Sequence, residues 1–116
     1  MKEIRKIIFY EKYFADFYSE LPESIRRKIA YVFDIIRQTE RVPVKFLKHI
    51  EGTNGLYEIR IEYESNIYRI FCCFDSGQIV VLFNAFQKKT EKTPQVEIKK
   101  ALKLKDDYFN KKLKND

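Results

Sequence analysis

Two arginines occupy the middle of segments that otherwise have the apolar character of buried or half-buried β-strands. Arg60 lies within residues 57–61 and Arg69 within residues 67–71. A guanidinium group in such a place loses hydration, which is costly unless it pairs with an acid or faces a solvent-filled cleft. The other members of the candidate site come from a third strand-like segment and the residues just after it: Asn84, Phe86, Lys88, Lys89 and Lys92.

These residue types suit the binding and cleavage of RNA. Arginine offers phosphate a planar fork of donors, lysine offers a compact charge, and aromatic rings stack on unpaired bases. Attack of a ribose 2′-hydroxyl on its phosphate needs a base, cations for the developing phosphorane charge and an acid for the leaving oxygen. Lysine can be that base when neighbouring cations lower its pKa. A site without metal and without histidine is therefore chemically possible.

Strand register determines whether these groups meet. If Phe74 lies opposite Ile79, then Arg69 lies opposite Asn84 on one face, and we expect Arg69 to be partly exposed to a cleft. The face of Arg60 depends on whether the preceding hairpin loop has an even or an odd number of residues. The alternative is purely structural: Arg60 or Arg69 forms an ion pair with Glu58 or Glu62, although no acid lies within the strand of Arg69 itself.

The elements that position the site follow from hydrophobic periodicity. Residues 6–9 predict a short strand, residues 10–21 an amphipathic helix, and a second helix follows Pro22. Residues 41–55 contain turn-forming residues and predict a loop that carries the only histidine, His49, which is more often a surface or capping residue than a catalyst. The helical stripes expected in the core are Tyr10, Phe14, Phe17, Tyr18 and Leu21 in the first helix, and Ile25, Ile29, Val32, Phe33 and Ile36 in the second.

Three further strands are predicted at residues 56–63, 67–74 and 79–86, separated by short turn sequences. Short turns join antiparallel neighbours, so these strands predict a meander, with the first strand added at an edge. Thr93 and Pro94 resemble a helix start, with Thr93 as the N-cap and Pro94 at the first helical position. The buried stripe of this last helix is expected to be Ile98, Ala101, Leu102 and Tyr108.

Composition indicates a single globular domain, residues 1–116. The chain has 45% hydrophobic and 34% charged residues, a formal net charge of +6, and many lysines near its C-terminus. This excess indicates either a surface that attracts polyanions or simply a solvated lysine-rich helix. Its two cysteines are adjacent and no signal peptide or long apolar run is present, which predicts the cytosol. Motifs typical of metal or nucleotide binding are absent from the sequence, and no cofactor is expected.

Three motifs in the second half of the chain resemble the signature of a known family. They are Leu-x-Glu-x-Arg at residues 56–60, Tyr-Arg at 68–69 and Phe-x-Lys-Lys-Thr-x-Lys-Thr-Pro at 86–94. In this order and spacing they are similar to the phage-derived Gp49-like, HigB-type branch of the RelE/ParE toxin superfamily. The resemblance implies an α+β fold of order β-α-α-β-β-β-α, in which a twisted antiparallel sheet packs against an αα-hairpin.

The same resemblance implies a toxin of a type II toxin–antitoxin system. Such a toxin cleaves mRNA on the ribosome and is silenced by a helix-turn-helix antitoxin. It further implies that Arg69 binds phosphate, that Lys88 or Lys89 is the basic group closing the last strand, and that Arg60 is a second cation of the cleft. Together with the residue types above, we expect Arg69, Lys88 and Lys89 to be catalytic and Arg60, Asn84, Phe86 and Lys92 to bind RNA. Family members often have histidine at the position of Asn84.

Two other functions are compatible with the sequence. One is a ParE-like inhibitor of DNA gyrase, because that branch shares the fold, although the Lys-Lys-Thr-x-Lys-Thr-Pro element favours action on mRNA. The other is a phage-derived regulator that keeps a basic groove for RNA or protein but has lost catalysis.

Overall fold

A computed structural model describes residues 3–115, which form one five-stranded sheet flanked by three helices. The strand order is β1-β5-β4-β3-β2, with β1 parallel to β5 and the other neighbours antiparallel. No helix in this part of the chain is long and apolar enough to cross a membrane. The elements are β1 (Lys6–Phe9), α1 (Tyr13–Ser19), α2 (Glu23–Gln38), β2 (Leu47–His49), β3 (Tyr57–Tyr63), β4 (Asn66–Asp75), β5 (Ile79–Lys88) and α3 (Gln95–Lys114).

Helices α1 and α2 cover one face of the sheet, here called the first face. Phe14 of α1 and Phe33 of α2 have ring centroids 5.6 Å apart, and both belong to one apolar core with strand residues such as Ile59 and Ile70. The buried residues of α2 are Ile25, Ile29, Val32, Phe33 and Ile36. This confirms the stripe that the helical spacing predicts.

Helix α3 covers part of the opposite face, here called the second face. Ala101 and Leu104 are buried against Phe71, Val81 and other strand residues. At the far end of the helix, the Tyr108 hydroxyl donates a hydrogen bond of 2.6 Å to Asp75 at the end of β4. The helix thus lies over one end of the second face, and the other end is left for the site described below.

The hairpin between β3 and β4 has a two-residue loop, Glu64 and Ser65, with both residues at positive φ. This geometry matches the tight turns whose twist suits a hairpin. The even-numbered loop places Arg60 directly opposite Arg69. The two arginines therefore share the second face, one of the two arrangements that the sequence left open.

The hairpin between β4 and β5 differs from the predicted register. Asp75, not Phe74, lies opposite Ile79, and the turn contains Gly77 at φ +74°. A β-bulge then shifts the pairing: Cys72 pairs with Leu82 but Ile70 pairs with Ala85. Two residues of β5, Phe83 and Asn84, consequently oppose the single residue Phe71.

The predicted α+β class and the meander are confirmed, with three differences of detail. The segment expected to be a loop, residues 41–55, contains β2, whose three residues are too few to give a periodic signal. Helix α1 begins only at Tyr13, and Tyr10 packs instead on the second face, where its ring centroid is 5.9 Å from that of Tyr108. Helix α3 begins one residue later than predicted, so that Pro94, not Thr93, is the N-cap.

Candidate nucleic-acid interface

An open cleft of about 580 Å³ occupies the end of the second face that α3 leaves uncovered. Its floor is β3, one wall is the end of β2, and the other wall runs from the end of β5 to the first turns of α3. The lining residues are Lys48, His49, Ile50, Glu51, Glu58, Arg60, Lys88, Glu91, Lys92, Thr93, Gln95 and Ile98. Cations from three strands and the loop before α3 thus converge on one concave surface, which they share with three acids.

Glu58 and two arginines form the floor of the cleft. The Glu58 carboxylate oxygen Oε2 lies 3.4 Å from Nε of Arg60 and 3.7 Å from Nε of Arg69. Glu58 and Arg69 are buried, whereas the Arg60 side chain is 26% exposed and lines the cleft. One carboxylate therefore lies between two guanidinium groups of which only Arg60 reaches solvent.

Arg69 is not partly exposed, and that prediction is wrong. Its residue is only 2% exposed, and its Nη1 donates a hydrogen bond of 3.2 Å to the Tyr68 carbonyl. Burial lowers the pKa of Arg69, an effect that the nearby Glu58 carboxylate opposes. The physical reason is the strand register. Arg69 lies on the central strand β4, between Arg60 of β3 and Phe86 of β5, and its neighbours on the second face cover it.

Asn84 and Phe86 also differ from expectation. The shifted register places Phe86, not Asn84, opposite Arg69. The Asn84 amide donates hydrogen bonds to the carbonyl and carboxylate oxygens of Glu97, at 3.1 and 3.0 Å, and so ties β5 to the first turn of α3. Phe86 is half-buried, with its ring centroid 5.7 Å from that of Phe71. Asn84 is thus bonded to α3, and Phe86 packs against Phe71 on the second face. Neither side chain lines the cleft.

The three predicted lysines separate into two groups. Lys88 lies opposite Ile67 at the end of β5 and lines the cleft, and the exposed Lys92 lines it from the loop before α3. Lys89 is exposed but is not part of the cleft lining. Adjacent residues at the end of a strand point in opposite directions, which accounts for the difference.

The sequence patterns missed the contribution of β2 to the cleft. Lys48 reaches it because β2 pairs with β3, with Lys48 opposite Glu58 on the second face. His49 lies at the edge of the cleft, opposite Tyr57, and its ring centroid is 5.2 Å from that of Tyr57, which packs against the first-face core. The His49 ring nitrogen Nε2 is 3.0 Å from the Thr53 carbonyl oxygen. Since a carbonyl oxygen only accepts hydrogen bonds, Nε2 carries a proton in this contact. The three residues of β2, Leu47, Lys48 and His49, do not alternate between apolar and polar, so the sequence carries no signal for this strand.

The C-terminal lysines are partly engaged in the fold. Lys112 donates hydrogen bonds of 2.8 Å to both oxygens of Asp75, and Lys111 contacts Glu11 at 3.1 Å. The bonds from Lys112 and Tyr108 lower the pKa of Asp75. Within residues 3–115, no three His, Cys, Asp or Glu side chains cluster in a way that would hold a metal ion.

Comparison with solved structures defines the class of fold. The chain is similar to a chain of the archaeal RelE–RelB complex from Pyrococcus horikoshii OT3, with a TM-score of 0.54 and 19% sequence identity. The similarity covers 78% of this chain and 99% of that chain. The two chains therefore share a fold.

Sequence comparison then identifies the family. Residues 16–106 match the family described as Phage derived protein Gp49-like. The chain belongs to this family, and the resemblance stated from the motifs is confirmed. No curated protein matches the sequence significantly.

Proposed function

We propose that this protein is the toxin of a type II toxin–antitoxin system and that it cleaves mRNA on the ribosome. The observation that carries the proposal is the cleft, to which β2, β3, β5 and the loop before α3 contribute four cations, Lys48, Arg60, Lys88 and Lys92, against three acids. Membership of the Gp49-like family and the RelE fold support the same class of function. The cleft is open enough for an extended single strand, and its cations come from different elements, as gripping a phosphate from several sides requires.

In the proposed reaction the ribose 2′-oxygen attacks the adjacent phosphorus. A new bond forms between O2′ and phosphorus, the bond from phosphorus to O5′ of the next nucleotide breaks, and that oxygen takes up a proton. The products are a 2′,3′-cyclic phosphate and a free 5′-hydroxyl. Arg60 and Lys88 would stabilise the charge that develops on the non-bridging oxygens, because both line the cleft. Arg69 would not contact the phosphate. It would help to position Arg60, because both guanidinium groups lie beside the Glu58 carboxylate.

Two groups that line the cleft could accept the 2′-hydroxyl proton: Lys88 and His49. The Glu58 oxygen Oε1 has no hydrogen-bond partner among residues 3–115, but it is buried and is therefore not placed to contact a bound ribose. Replacement by Lys88→Met or His49→Gln removes proton transfer at nearly constant size. The variant that still binds RNA but no longer cleaves it identifies the acceptor.

We further propose that a separate antitoxin with a helix-turn-helix domain holds the protein inactive, as the family resemblance implies. The structural relative from Pyrococcus horikoshii is described as a complex of RelE with RelB. If the proposal is correct, expression of this chain alone stops growth, and co-expression of a small helix-turn-helix protein encoded beside it restores growth. Restoration by that protein without a physical complex would contradict direct silencing.

The decisive test is to add the purified protein to a translation reaction and to map the ends of the mRNA fragments. We expect cuts only in mRNA that is being translated, and a 5′-hydroxyl on each downstream fragment, detectable because a kinase can label it without prior dephosphorylation. Intact mRNA together with blocked DNA supercoiling would instead indicate a gyrase inhibitor. Intact mRNA with unaffected supercoiling would indicate a regulator without catalysis. A 5′-phosphate would contradict the 2′-hydroxyl mechanism.

A further inference from the structure

A second hollow, of about 370 Å³, lies at the edge of the sheet beside the cleft. It is formed where α2 approaches the residues just before β2, and its lining is Lys28, Tyr31, Lys45, Phe46, Arg60 and Glu62. Arg60 lines both this hollow and the cleft. The two depressions are therefore adjacent, with a single guanidinium group between them.

Two aromatic rings in the hollow are accompanied by cations. Tyr31 is 55% exposed, although it is a large hydrophobic side chain in the middle of α2. Its ring centroid is 6.3 Å from that of Phe46, at an interplanar angle of 79°. The Lys28 ammonium group lies 5.3 Å from the Tyr31 centroid, and that of Lys45 lies 4.9 Å from the Phe46 centroid. An exposed ring with an ammonium group beside it can bind a base by stacking and its phosphate by charge, and the two ammonium groups and Arg60 outnumber the one acid of the hollow, Glu62.

We infer that the hollow around Tyr31 is a binding subsite for one unpaired RNA nucleotide, whose base stacks on Tyr31 while Lys28, Lys45 and Arg60 hold its phosphate. This inference rests on the proposed function, since it extends the RNA-binding cleft beyond Arg60. A strand that crosses Arg60 would place consecutive nucleotides in the cleft and in the hollow. Stacking accepts any base, so the subsite would add affinity and fix the position of the strand without selecting a sequence.

The chain offers a matched control on another helix. Tyr13 of α1 is also exposed, at 38%, and the Lys100 ammonium group lies 5.1 Å from its ring centroid. This pair has the same chemistry as Tyr31 and Lys28 but lies outside both the cleft and the hollow. If any exposed tyrosine beside a lysine bound RNA, the two pairs would contribute equally.

The experiment measures the binding of a fluorescein-labelled RNA hexanucleotide, methylated at every 2′-hydroxyl so that it cannot be cut. We expect Tyr31→Ala to weaken binding about 5- to 150-fold, the range for loss of one stacked base. Tyr31→Phe keeps the ring and should bind within about twofold of the unsubstituted protein. Tyr13→Ala should leave binding unchanged. Thermal unfolding of each variant shows whether it is folded.

The outcomes separate this inference from the proposed function. Unchanged RNA binding by Tyr31→Ala, or equal losses of binding in Tyr31→Ala and Tyr13→Ala, would overturn the subsite. Neither result would affect the cleavage proposal, which the translation assay tests separately. If the hexanucleotide does not bind even to the unsubstituted protein, the subsite is also overturned. If Tyr31→Ala alone loses binding while the protein cleaves no translated mRNA, the subsite stands and the ribonuclease proposal fails.

Discussion

The first face of the sheet, under α1 and α2, is covered by apolar side chains. The second face is covered by α3 at one end and carries the charged cleft at the other. All four buried polar or charged side chains of the described residues lie on the α3 face: Glu58, Arg69, Asp75 and Asn84. Burying such groups costs free energy, which a structure recovers only through well-formed partners. We infer that the first face supplies stability and that the second face gives up some stability in order to hold the cleft.

The largest effect on stability is expected from the first face. Ile29 of α2 is fully buried there, and Ile29→Ala should lower the free energy of unfolding by about 4 kcal/mol, through lost burial and the cavity that remains. Urea unfolding measures the loss. Val96→Ala, at an exposed position of α3, is the control and should change stability by less than about 0.5 kcal/mol. Equal effects of the two substitutions would contradict the role given to the first face.

The next prediction concerns Arg69, whose buried side chain lies beneath the cleft. Arg69→Ala removes a buried cation beside Glu58 and should cost about 3 kcal/mol of stability, as for breaking a buried pair. Per folded molecule, mRNA cleavage should fall less than in Arg60→Ala, because Arg69 is covered. The measurement is the mRNA cleavage rate of each variant, corrected for its folded fraction. A greater loss in Arg69→Ala than in Arg60→Ala would indicate that Arg69 binds the phosphate directly, as the resemblance implied.

Lys88 and Lys89 provide a matched pair at the end of β5. Lys88 lines the cleft and Lys89 does not. We expect Lys88→Ala to reduce the rate of mRNA cleavage on the order of 100-fold, the usual cost of losing one donor to a developing oxyanion. The cleavage rate of Lys89→Ala should stay within about twofold of that of the unsubstituted protein. Single-turnover cleavage of ribosome-bound mRNA measures both rates. The reverse order would show that the strand end is oriented differently when RNA is bound.

Asp75 should produce a smaller, pH-dependent effect on the closed end of the second face. Hydrogen bonds from Lys112 and Tyr108 hold the pKa of Asp75 below its ordinary value of 3.8. A lowered folded pKa contributes stability that is complete above the unfolded value and is lost as pH falls through the folded value. Asp75→Asn should therefore lose stability at neutral pH and lose less than the unsubstituted protein on acidification below pH 4. Parallel pH curves for the two proteins would contradict this contribution.

Apart from the short strand β2, the element order and the first face could be predicted from the sequence because they depend on local periodicity. Ile25, Ile29 and Ile36 of α2 recur at helical spacing, and their burial follows from that spacing alone. The family could also be identified, since its motifs are contiguous stretches of sequence. These features need no knowledge of how distant strands are aligned.

The arrangement of the candidate site could be predicted only in part, because it depends on register. The turn around Gly77 could be predicted, but its exact pairing and the bulge at Phe83 and Asn84 have no distinct sequence signal, and together they move Phe86 to the position expected for Asn84. Burial of Arg69 follows from the same pairing. The contribution of His49 depends on a strand of three residues that only its pairing with β3 defines.

The most direct test of the central claim compares Arg60 with an arginine of the first-face helices. The Arg60 side chain is 26% exposed in the cleft, and that of Arg37 on α2 is 30% exposed and also paired with an acid, Asp34. The measurement is the rate of cleavage of mRNA on programmed ribosomes, with fragment ends mapped. Our account predicts that Arg60→Ala loses about 100-fold or more of this rate and that Arg37→Ala keeps it. If Arg60→Ala cut the same positions at the unsubstituted rate, the cleft would not be the active site.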